Sequence, residues 1–251
     1  MMDMLVRELR ATTDGSLLIA RFGSCGGVGE KAEVGTVVVA REGAVMIQRN
    51  WDFFASNYDG HDSVESDDPE LEKRAWESGK PPYRISGVCP ADAELSEVLL
   101  DRLRSQLGES RVHAGLNATA DSFYSSQGRT DPSFYDFNHN LLTRLPSLIP
   151  NVETLEMETF ALLHLAKCAR ASDSVATVGG GAANEGHVVG NVARAESLSS
   201  RTGGRRIRAT ACAMVFADRK GNAFIEPHDV VRLEKSAGRA VLEAVTQCSI
   251  E

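Results

Sequence analysis

The stretch "SLLIARFGSCGG", residues 16–27, decides the fold. Its first half is an apolar run rich in branched side chains, which is typical of a buried β-strand. We predict that this strand ends at Arg21 and that a glycine-rich turn carrying Ser24 follows. Glycines let backbone N–H groups approach an anion closely, and arginine offers a planar fork of donors that suits phosphate. The stretch is therefore a candidate phosphate site, with an ordinary turn as the alternative.

Outward from this stretch, predicted helices and strands alternate along the chain. Apolar residues at helical spacing predict helices, and short apolar runs predict strands. The predicted helices cover residues 2–11, 92–108, 157–171 and 227–247, and the predicted strands cover 16–23, 36–40, 44–48, 111–120 and 207–217. We expect the strand over 44–48 to continue or pair with the strand over 36–40. This alternation favours a layered α/β fold.

Two segments differ in composition from the rest of the chain. Residues 56–82 are acidic, contain proline and glycine and have few aliphatic side chains, which predicts a long surface loop. Residues 174–204 are rich in Gly, Ala and Ser and predict an insertion with little fixed structure. With 251 residues, of which 42% are hydrophobic, we expect a single domain over 1–251 with flexible insertions at these two segments.

Charge and cysteine content argue against several classes of protein. The formal net charge is −8 and the pI is about 5.3, which does not suit a nucleic-acid-binding protein. The five cysteines are scattered and lack CxxC spacing, so we expect neither a disulfide framework nor a metal site. The first residues lack the apolar core of a signal peptide, and no stretch approaches about 18 apolar residues. We therefore expect a cytoplasmic protein that binds neither nucleic acid nor membrane.

A second motif combines an aromatic ring, an amide and a guanidinium in one polar loop. The stretch "DSFYSSQGR", residues 121–129, carries Phe123, Gln127 and Arg129. The amide and the guanidinium would together satisfy the edge of uracil, where two carbonyl oxygens flank an N–H donor. Phe123 would stack on the ring of the base. The alternative is a polar turn with one buried aromatic side chain, and the loop alone does not decide between the two.

A third motif places two carboxylates at the start of a predicted helix. In "LEMET", residues 155–159, Glu156 and Glu158 flank Met157. One interpretation is negative charge that is stabilised by the positive end of the helix dipole. The other is a carboxylate that accepts two hydroxyls of a sugar, with Met157 packed on the apolar face of that sugar. These residues alone leave both interpretations open.

In this order and at these separations, the motifs resemble the nucleoside phosphorylase family, and within it the uridine phosphorylases. The family has a phosphate motif R-x-G-S/T-x-G, a base loop F-Y-x-x-Q-x-R and a motif E-M-E-S/T. The matching residues are Arg21, Gly23, Ser24 and Gly26, then Phe123, Tyr124, Gln127 and Arg129, then Glu156, Met157, Glu158 and Thr159. The stretch "VFADR", residues 215–219, matches a strand end that lines the base pocket. The resemblance covers most of residues 1–247, outside the two unusual segments.

The resemblance implies a fold, a reaction and roles for residues. The fold is a three-layer sandwich with a central mixed β-sheet flanked by helices. The reaction is reversible phosphorolysis of uridine to uracil and ribose 1-phosphate, with phosphate as co-substrate and no cofactor, in a homodimer or hexamer. The implied catalytic residues are Arg21, Arg129 and Glu158, and the implied phosphate ligands are Arg21, Gly23 and Ser24. The base would be bound by Phe123, Gln127, Arg129, Phe216 and Arg219, and the ribose by Ser24, Glu156, Met157 and Glu158.

The sequence also departs from the family pattern at its start. Family members carry a Gly-Asp-Pro-type phosphate loop, and an arginine and a histidine that reach the neighbouring subunit, ahead of the segment at which this sequence begins. We therefore expect an N-terminally truncated version of the fold, for which a catalytically inactive nucleoside-binding fragment or paralogue is one alternative. A purine nucleoside phosphorylase or nucleosidase is another alternative, because purine members of the family have an aspartate near the strand end at which Asp218 lies in this sequence. Gln127 and Arg129 favour the pyrimidine enzyme.

Overall fold

The computed structural model describes residues 1–56, 69–77, 79–169 and 206–250. The helices in these ranges are α1 Met2–Thr12, α2 Trp51–Ser56, α3 Pro69–Glu77, α4 Ala93–Leu107, α5 Leu141–Leu148, α6 Thr159–Cys168 and α7 Pro227–Gln247. The strands are β1 Leu17–Gly27, β2 Val37–Val39, β3 Ala44–Arg49, β4 Tyr83–Ile85, β5 Val112–Ala114, β6 Leu116–Ala120, β7 Val152–Glu156 and β8 Ile207–Asp218. Within the same ranges, no helix has the length and apolarity that a membrane span requires.

The strands of the described residues form one mixed sheet in the order β4-β3-β6-β7-β1-β8-β2-β5. β1 runs parallel to β8 along its whole length and pairs antiparallel with β7 at Gly26 and Gly27. β2 pairs antiparallel with β8, and β6 lies parallel between β3 and β7. The strands that carry or precede the three motifs, β1, β6 and β7, are therefore neighbours in the middle of the sheet, and β8, which carries "VFADR", lies next to β1.

Alternate residues of β1 pack into two different cores. Leu17 and Ile19 pack with the cluster that α1 and α6 cover, whereas Ala20 and Phe22 pack with the cluster that α4 and α7 cover. Since successive side chains of a strand face opposite sides of a sheet, helices lie on both faces. The predicted α/β sandwich with a central mixed sheet is confirmed.

β1 is longer than the sequence predicts, and the prediction of a turn after Arg21 was wrong. The strand continues to Gly27 because β8 pairs with it up to Asp218, with a register shift between Cys25 and Gly26. The glycines in this part instead make room for side chains that cross the strand. A Cβ on Gly23 would lie 2.7 Å from both terminal nitrogens of Arg21, and a Cβ on Gly26 would lie 2.6 Å from Cγ of Arg219.

Two other strand predictions were also wrong. β2 and β3 do not pair, because β2 lies between β8 and β5 whereas β3 lies between β4 and β6. The single strand predicted over 111–120 is two strands, β5 and β6, with Gly115 between them. Gly115 fits closely at this point, since a Cβ on it would lie 2.4 Å from Cγ of Glu153. The chain thus passes from one side of the sheet to the other at a residue that has no side chain.

Part of the loop predicted over 56–82 is a helix, α3. Its buried Glu72 accepts a hydrogen bond from the backbone N–H of Asn140 at 2.9 Å, which caps the start of α5. Trp76 of α3 stacks on Tyr83, with ring centroids 6.1 Å apart. These two contacts attach α3 to α5 and to β4, although the acidic composition of this segment is typical of a loop. Residues 57–68, 78 and 170–205 lie outside the described residues, and so does the predicted insertion over 174–204.

Asp92, the first residue of the helix predicted over 92–108, caps α4 and also ties it to β8. Its carboxylate accepts from the backbone N–H of Leu95 at 2.9 Å and from Nη2 of Arg208 at 2.7 Å. The hydrogen bond from Arg208 is the main reason why the pKa of Asp92 lies below its ordinary value. Gly108, with a φ of 92°, follows the other end of the helix as predicted.

We expect Asp92→Ala to lower the free energy of unfolding by about 2 kcal/mol near pH 7, since it removes a cap and a charge-assisted hydrogen bond. Because the folded pKa lies below the unfolded one, this stability is present above the unfolded pKa and is lost as the pH falls through the folded value. Denaturant unfolding at pH 7 and pH 3 measures the effect, with exposed Asp101→Ala on the same helix as control. Equal stabilities of Asp92→Ala and wild type at pH 7 would contradict it.

Candidate active site

Arg21 of β1 is bound by two carboxylates from the junction of β7 and α6. Its Nη2 lies 3.1 Å from Oε2 of Glu156 and makes a second ion pair with Glu158. The side chain of Glu156 is 3% exposed and that of Glu158 is 42% exposed. Nη1 of Arg21 is buried and has no hydrogen-bond acceptor among the described residues. One donor nitrogen of Arg21 is therefore without an acceptor among the described residues, and Glu158 keeps an open face for a ligand.

Glu156 ends β7, and its carboxylate caps the first turn of α6. It accepts hydrogen bonds from the backbone N–H groups of Glu158 at 2.9 Å and of Thr159 at 3.1 and 3.2 Å. Burial raises the pKa of Glu156, and the positive charge of Arg21 opposes this rise. Stabilisation at a helix N-terminus is therefore the better interpretation of Glu156. Its contact with ribose stays a prediction, since protein donors already reach both of its oxygens.

The second part of the site holds Gln127 between two arginines. Gln127 is 4% exposed and ends a 3₁₀ turn over Ser125–Gln127. Arg219, which directly follows β8, donates from Nη2 to the backbone carbonyl of Gln127 at 2.9 Å. The Oε1 atom of Gln127 lies 3.4 Å from Nη1 of Arg219 and 3.4 Å from Nη2 of Arg129. Because this oxygen faces the arginines, the NH₂ group of the amide faces away from them.

The two arginines make this part of the site strongly electropositive. Burial, and after it the charge of Arg129, lowers the pKa of Arg219 to about 10. Burial also lowers the pKa of Arg129. Within the described ranges, no carboxylate forms an ion pair with either guanidinium. Two partly buried cations without a counter-ion favour a ligand that carries or develops negative charge.

A glycine of β1 lies against an arginine of each of the two parts. The guanidinium of Arg21 lies over Gly23, and the stem of Arg219 lies over Gly26. These glycines are three residues apart on one strand, a spacing of about 10 Å.

A sequence model of the phosphorylase superfamily matches residues 1–201 of the chain. The chain belongs to this superfamily. No curated protein sequence matches it significantly. The fold described above is accordingly the nucleoside phosphorylase fold.

Solved structures in the phosphorylase superfamily share the fold. A uridine phosphorylase structure from the oomycete Phytophthora capsici has a TM-score of 0.72 and 32% identity, over 99% of this chain and 71% of that chain. A Trypanosoma brucei nucleoside phosphorylase that shows uridine phosphorylase activity has a TM-score of 0.58 and 19% identity, over 94% of this chain and 65% of that one. A Schistosoma mansoni uridine phosphorylase in complex with thymine has a TM-score of 0.55 and 16% identity, over 98% of this chain and 66% of that one. This chain thus spans about two thirds of the length of the last two.

Several residues that the sequence assigns to the phosphorylase site lie at its margin. Ser24 is exposed. Met157 is 36% exposed between the two glutamates. Phe216 packs against the core cluster of α4 and α7. The roles of Ser24 in binding phosphate and ribose, of Met157 in binding ribose and of Phe216 in lining the base pocket stay predictions.

The ring of Phe123 already has a protein partner. The guanidinium carbon of Arg129 lies 4.1 Å from the centroid of this ring, and Nε of Arg129 donates to the carbonyl of Phe123 at 3.1 Å. This is a cation–π contact that fixes the direction of the guanidinium. Stacking of Phe123 on a base stays a prediction, whereas its support of Arg129 is visible in the structure.

Asp218, the residue that favours a purine substrate in the sequence, takes part in a turn. Its Oδ1 accepts from the backbone N–H of Lys220 at 2.8 Å, and its own N–H donates to the carbonyl of Ala223 at 2.8 Å. A Cβ on Gly221 would lie 2.5 Å from Oδ2 of Asp218. These contacts favour the interpretation of Asp218 as a polar residue that ends a strand.

Two residues of the site were missed by the sequence analysis. Thr119 of β6 donates its hydroxyl to Oε1 of Glu156 at 2.7 Å and accepts from the N–H of Phe160 at 2.8 Å. Asn138 donates to two carbonyls of the base loop. A buried threonine in a strand and an asparagine in a polar loop carry no periodic signal, so only their positions in space mark them.

Proposed function

We propose that the chain catalyses the reversible phosphorolysis of uridine to uracil and ribose 1-phosphate. The observation that carries this proposal is the buried Gln127 amide held between Arg129 and Arg219, together with the ion pair of Arg21 with the half-exposed Glu158. The similarity to the Phytophthora capsici uridine phosphorylase structure supports the same reaction. The proposed substrates are uridine and phosphate, with no cofactor.

Arg21 and Glu158 would bind the two ends of the sugar-phosphate reaction centre. The free Nη1 of Arg21 donates to phosphate beneath C1′ of the ribose, with the Ser24 hydroxyl as a further donor. Glu158 accepts the 2′- and 3′-hydroxyls and so fixes the ribose, with Met157 against its apolar face. As the bond from C1′ to N1 breaks, the phosphate dianion stabilises the positive charge on the sugar and then forms the new C1′–O bond.

The base leaves with the electron pair of the broken bond and therefore carries negative charge. Gln127 binds its amide edge, and Arg129 stabilises the charge on its oxygens, with Arg219 holding Gln127 in place. A preorganised donor of this kind contributes about 3–4 kcal/mol to the transition state. On this account, no side chain has to protonate the base before it departs.

The same contacts would select for pyrimidines. A site built to bond a uracil edge leaves buried polar groups unpaired when another base enters, which rejects that base strongly. We therefore expect cleavage of uridine and no cleavage of inosine or methylthioadenosine when purified chain is given each with phosphate. Cleavage of a purine nucleoside at a rate similar to that of uridine would favour the purine alternative. Binding of uridine without turnover would favour the inactive nucleoside-binding protein.

We further propose that the protein is cytoplasmic and works as a homodimer or a hexamer. The resemblance to the nucleoside phosphorylase family supports this assembly. Sedimentation of the purified chain over a range of concentrations measures it, and a monomer at all concentrations would contradict it.

Gly23→Ala tests whether Arg21 binds phosphate. The added Cβ would lie 2.7 to 2.8 Å from the Arg21 guanidinium and so push it from its position. We expect the KM for phosphate to rise at least ~10-fold, about 1.4 kcal/mol of lost binding. Initial rates over a series of phosphate concentrations measure it. Gly87→Ala is the matched control, since nothing lies within 4 Å of its Cβ. An unchanged KM for phosphate in Gly23→Ala would argue against this role of Arg21.

A further inference from the structure

We propose that Asn138 is a positioning residue for the loop that selects the base. This inference rests on the proposed function for its effect on catalysis, and on geometry alone for its effect on the loop. Asn138 is 1% exposed, lies outside the motifs of the sequence analysis and contacts neither Arg21 nor Glu158 among the contacts of the described residues.

The amide of Asn138 joins the middle of the base loop, at Ser125, to its last residue, Arg129. Its Nδ2 donates to the carbonyl of Ser125 at 3.0 Å and to the carbonyl of Arg129 at 3.0 Å. Gln127 lies between these two anchor points. An NH₂ group has two hydrogens, and here both are used to fix the distance between residues 125 and 129. Asn138 therefore holds this part of the loop from outside it, in addition to the hydrogen bond that Arg219 makes to the carbonyl of Gln127.

The backbone next to Asn138 is held in an uncommon conformation. Phe137 has a φ of 52°, which is rare for a bulky residue and costs free energy. Its ring is buried and packs edge-on against Phe53, with centroids 5.1 Å apart. The carbonyl of Asp136 accepts from the hydroxyl of Tyr83 at 2.7 Å. Packing on both sides of Phe137 thus maintains the turn that directs Asn138 into the loop.

Few other side chains have the chemistry for this position. Aspartate has no hydrogen to donate and would face two carbonyl oxygens, and serine has only one hydrogen. Alanine would leave both carbonyls without this donor in a buried place. Loss of the amide should therefore release residues 125–129 and let Gln127 and Arg129 move away from the geometry that fits the base.

The consequence for catalysis should be confined to the nucleoside. Arg21 lies on β1, which the loop does not hold in register. We expect Asn138→Ala to raise the KM for uridine at least ~10-fold, to lower kcat because Arg129 is displaced, and to leave the KM for phosphate within about twofold. A merely structural role would instead lower the fraction of active protein, which lowers kcat and leaves both KM values unchanged.

The experiment compares the wild type, Asn138→Ala and Asn140→Ala by hydrogen exchange and by steady-state kinetics. Asn140 is the matched control, because it precedes α5 without a hydrogen bond from its side chain to the helix end. The amides of Gly128 and Arg129 donate within the loop to Ser125 and Tyr124 at 3.0 and 2.9 Å. We expect them to exchange at least ~10-fold faster in Asn138→Ala, and at the wild-type rate in Asn140→Ala.

The two readouts separate this inference from the proposed function. Unchanged loop exchange in Asn138→Ala, or faster exchange with an unchanged KM for uridine, would overturn the positioning role. Faster loop exchange in a protein whose wild type does not cleave uridine would overturn the proposed function and leave the role in shaping the loop intact. If the alanine variant does not fold, Asn138→Ser keeps one donor, and the same two criteria apply to it.

Discussion

We expect Arg129→Ala to turn over uridine at least ~100-fold more slowly than the wild type. Arg129 is held towards the base position by its contact with Phe123 and by Gln127, and it has no carboxylate partner among the described residues. Its charge is therefore available for the negative charge that develops on the departing uracil. In a partly buried site, that interaction is stronger in the transition state than in the bound substrate, so kcat should fall.

The measurement is kcat for uracil release at saturating uridine and phosphate. Arg129→Lys keeps the charge but loses the planar fork, so it should recover only part of the rate. Arg232→Ala, an exposed arginine on α7, is the matched control and should be as fast as the wild type. An unchanged kcat in Arg129→Ala would remove this residue from catalysis.

We expect Arg21→Met to lose both stability and activity. The substitution leaves Glu156 buried without its cation, which should lower the free energy of unfolding by about 3 kcal/mol, the lower end for a broken buried pair. The lower end applies because backbone N–H groups and Thr119 still stabilise the carboxylate. Phosphorolysis should fall at least ~100-fold, since the donor to phosphate is gone.

The pH dependence of Arg21→Met follows from Glu156. Burial raises the pKa of Glu156, and in the variant no positive charge of Arg21 opposes that rise. For an acid whose folded pKa exceeds the unfolded one, stability is full below the unfolded pKa and falls as the pH rises through the folded pKa. The deficit relative to the wild type should therefore be smaller at pH 5 than at pH 8.

A double variant separates the two effects of Arg21. Arg21→Met combined with Glu156→Gln removes the unpaired charge and keeps acceptor and donor groups near Thr119 and the start of α6. Denaturant unfolding should show that it recovers most of the lost stability, while the assay shows no recovery of phosphorolysis. Equal stabilities of the single variant and the wild type at pH 8 would contradict the buried pair.

The elements that could be predicted from the sequence are those with a clear period or a strong end signal. α4 has an apolar face between Asp92 and Gly108, and β8 is a continuous apolar run. The length of β1 could not be predicted, because glycines usually end strands and here make room for Arg21 and Arg219. The division of 111–120 at Gly115, the separation of β2 from β3 and the helix α3 depend on partners that are distant in sequence.

The site shows the same division between local and distant signals. The residue types of the motifs were sufficient to propose Arg21, Gln127, Arg129 and Glu158 as site residues, and their roles stay predictions. The partners of these residues could not be predicted from the sequence. Gln127 contacts Arg219, which lies 92 positions further along the chain, and Asn138 lies in a loop without periodicity. The capping of α6 by Glu156 also depends on where β7 ends, which the sequence did not predict.

The most direct test of the account is the release of uracil from uridine by the purified chain, with and without phosphate. We predict uracil and an equal amount of ribose 1-phosphate when phosphate is present, and no uracil when it is absent. Uracil release that does not depend on phosphate, or no release from folded protein that binds uridine, would contradict phosphorolysis at Arg21, Glu158 and Gln127.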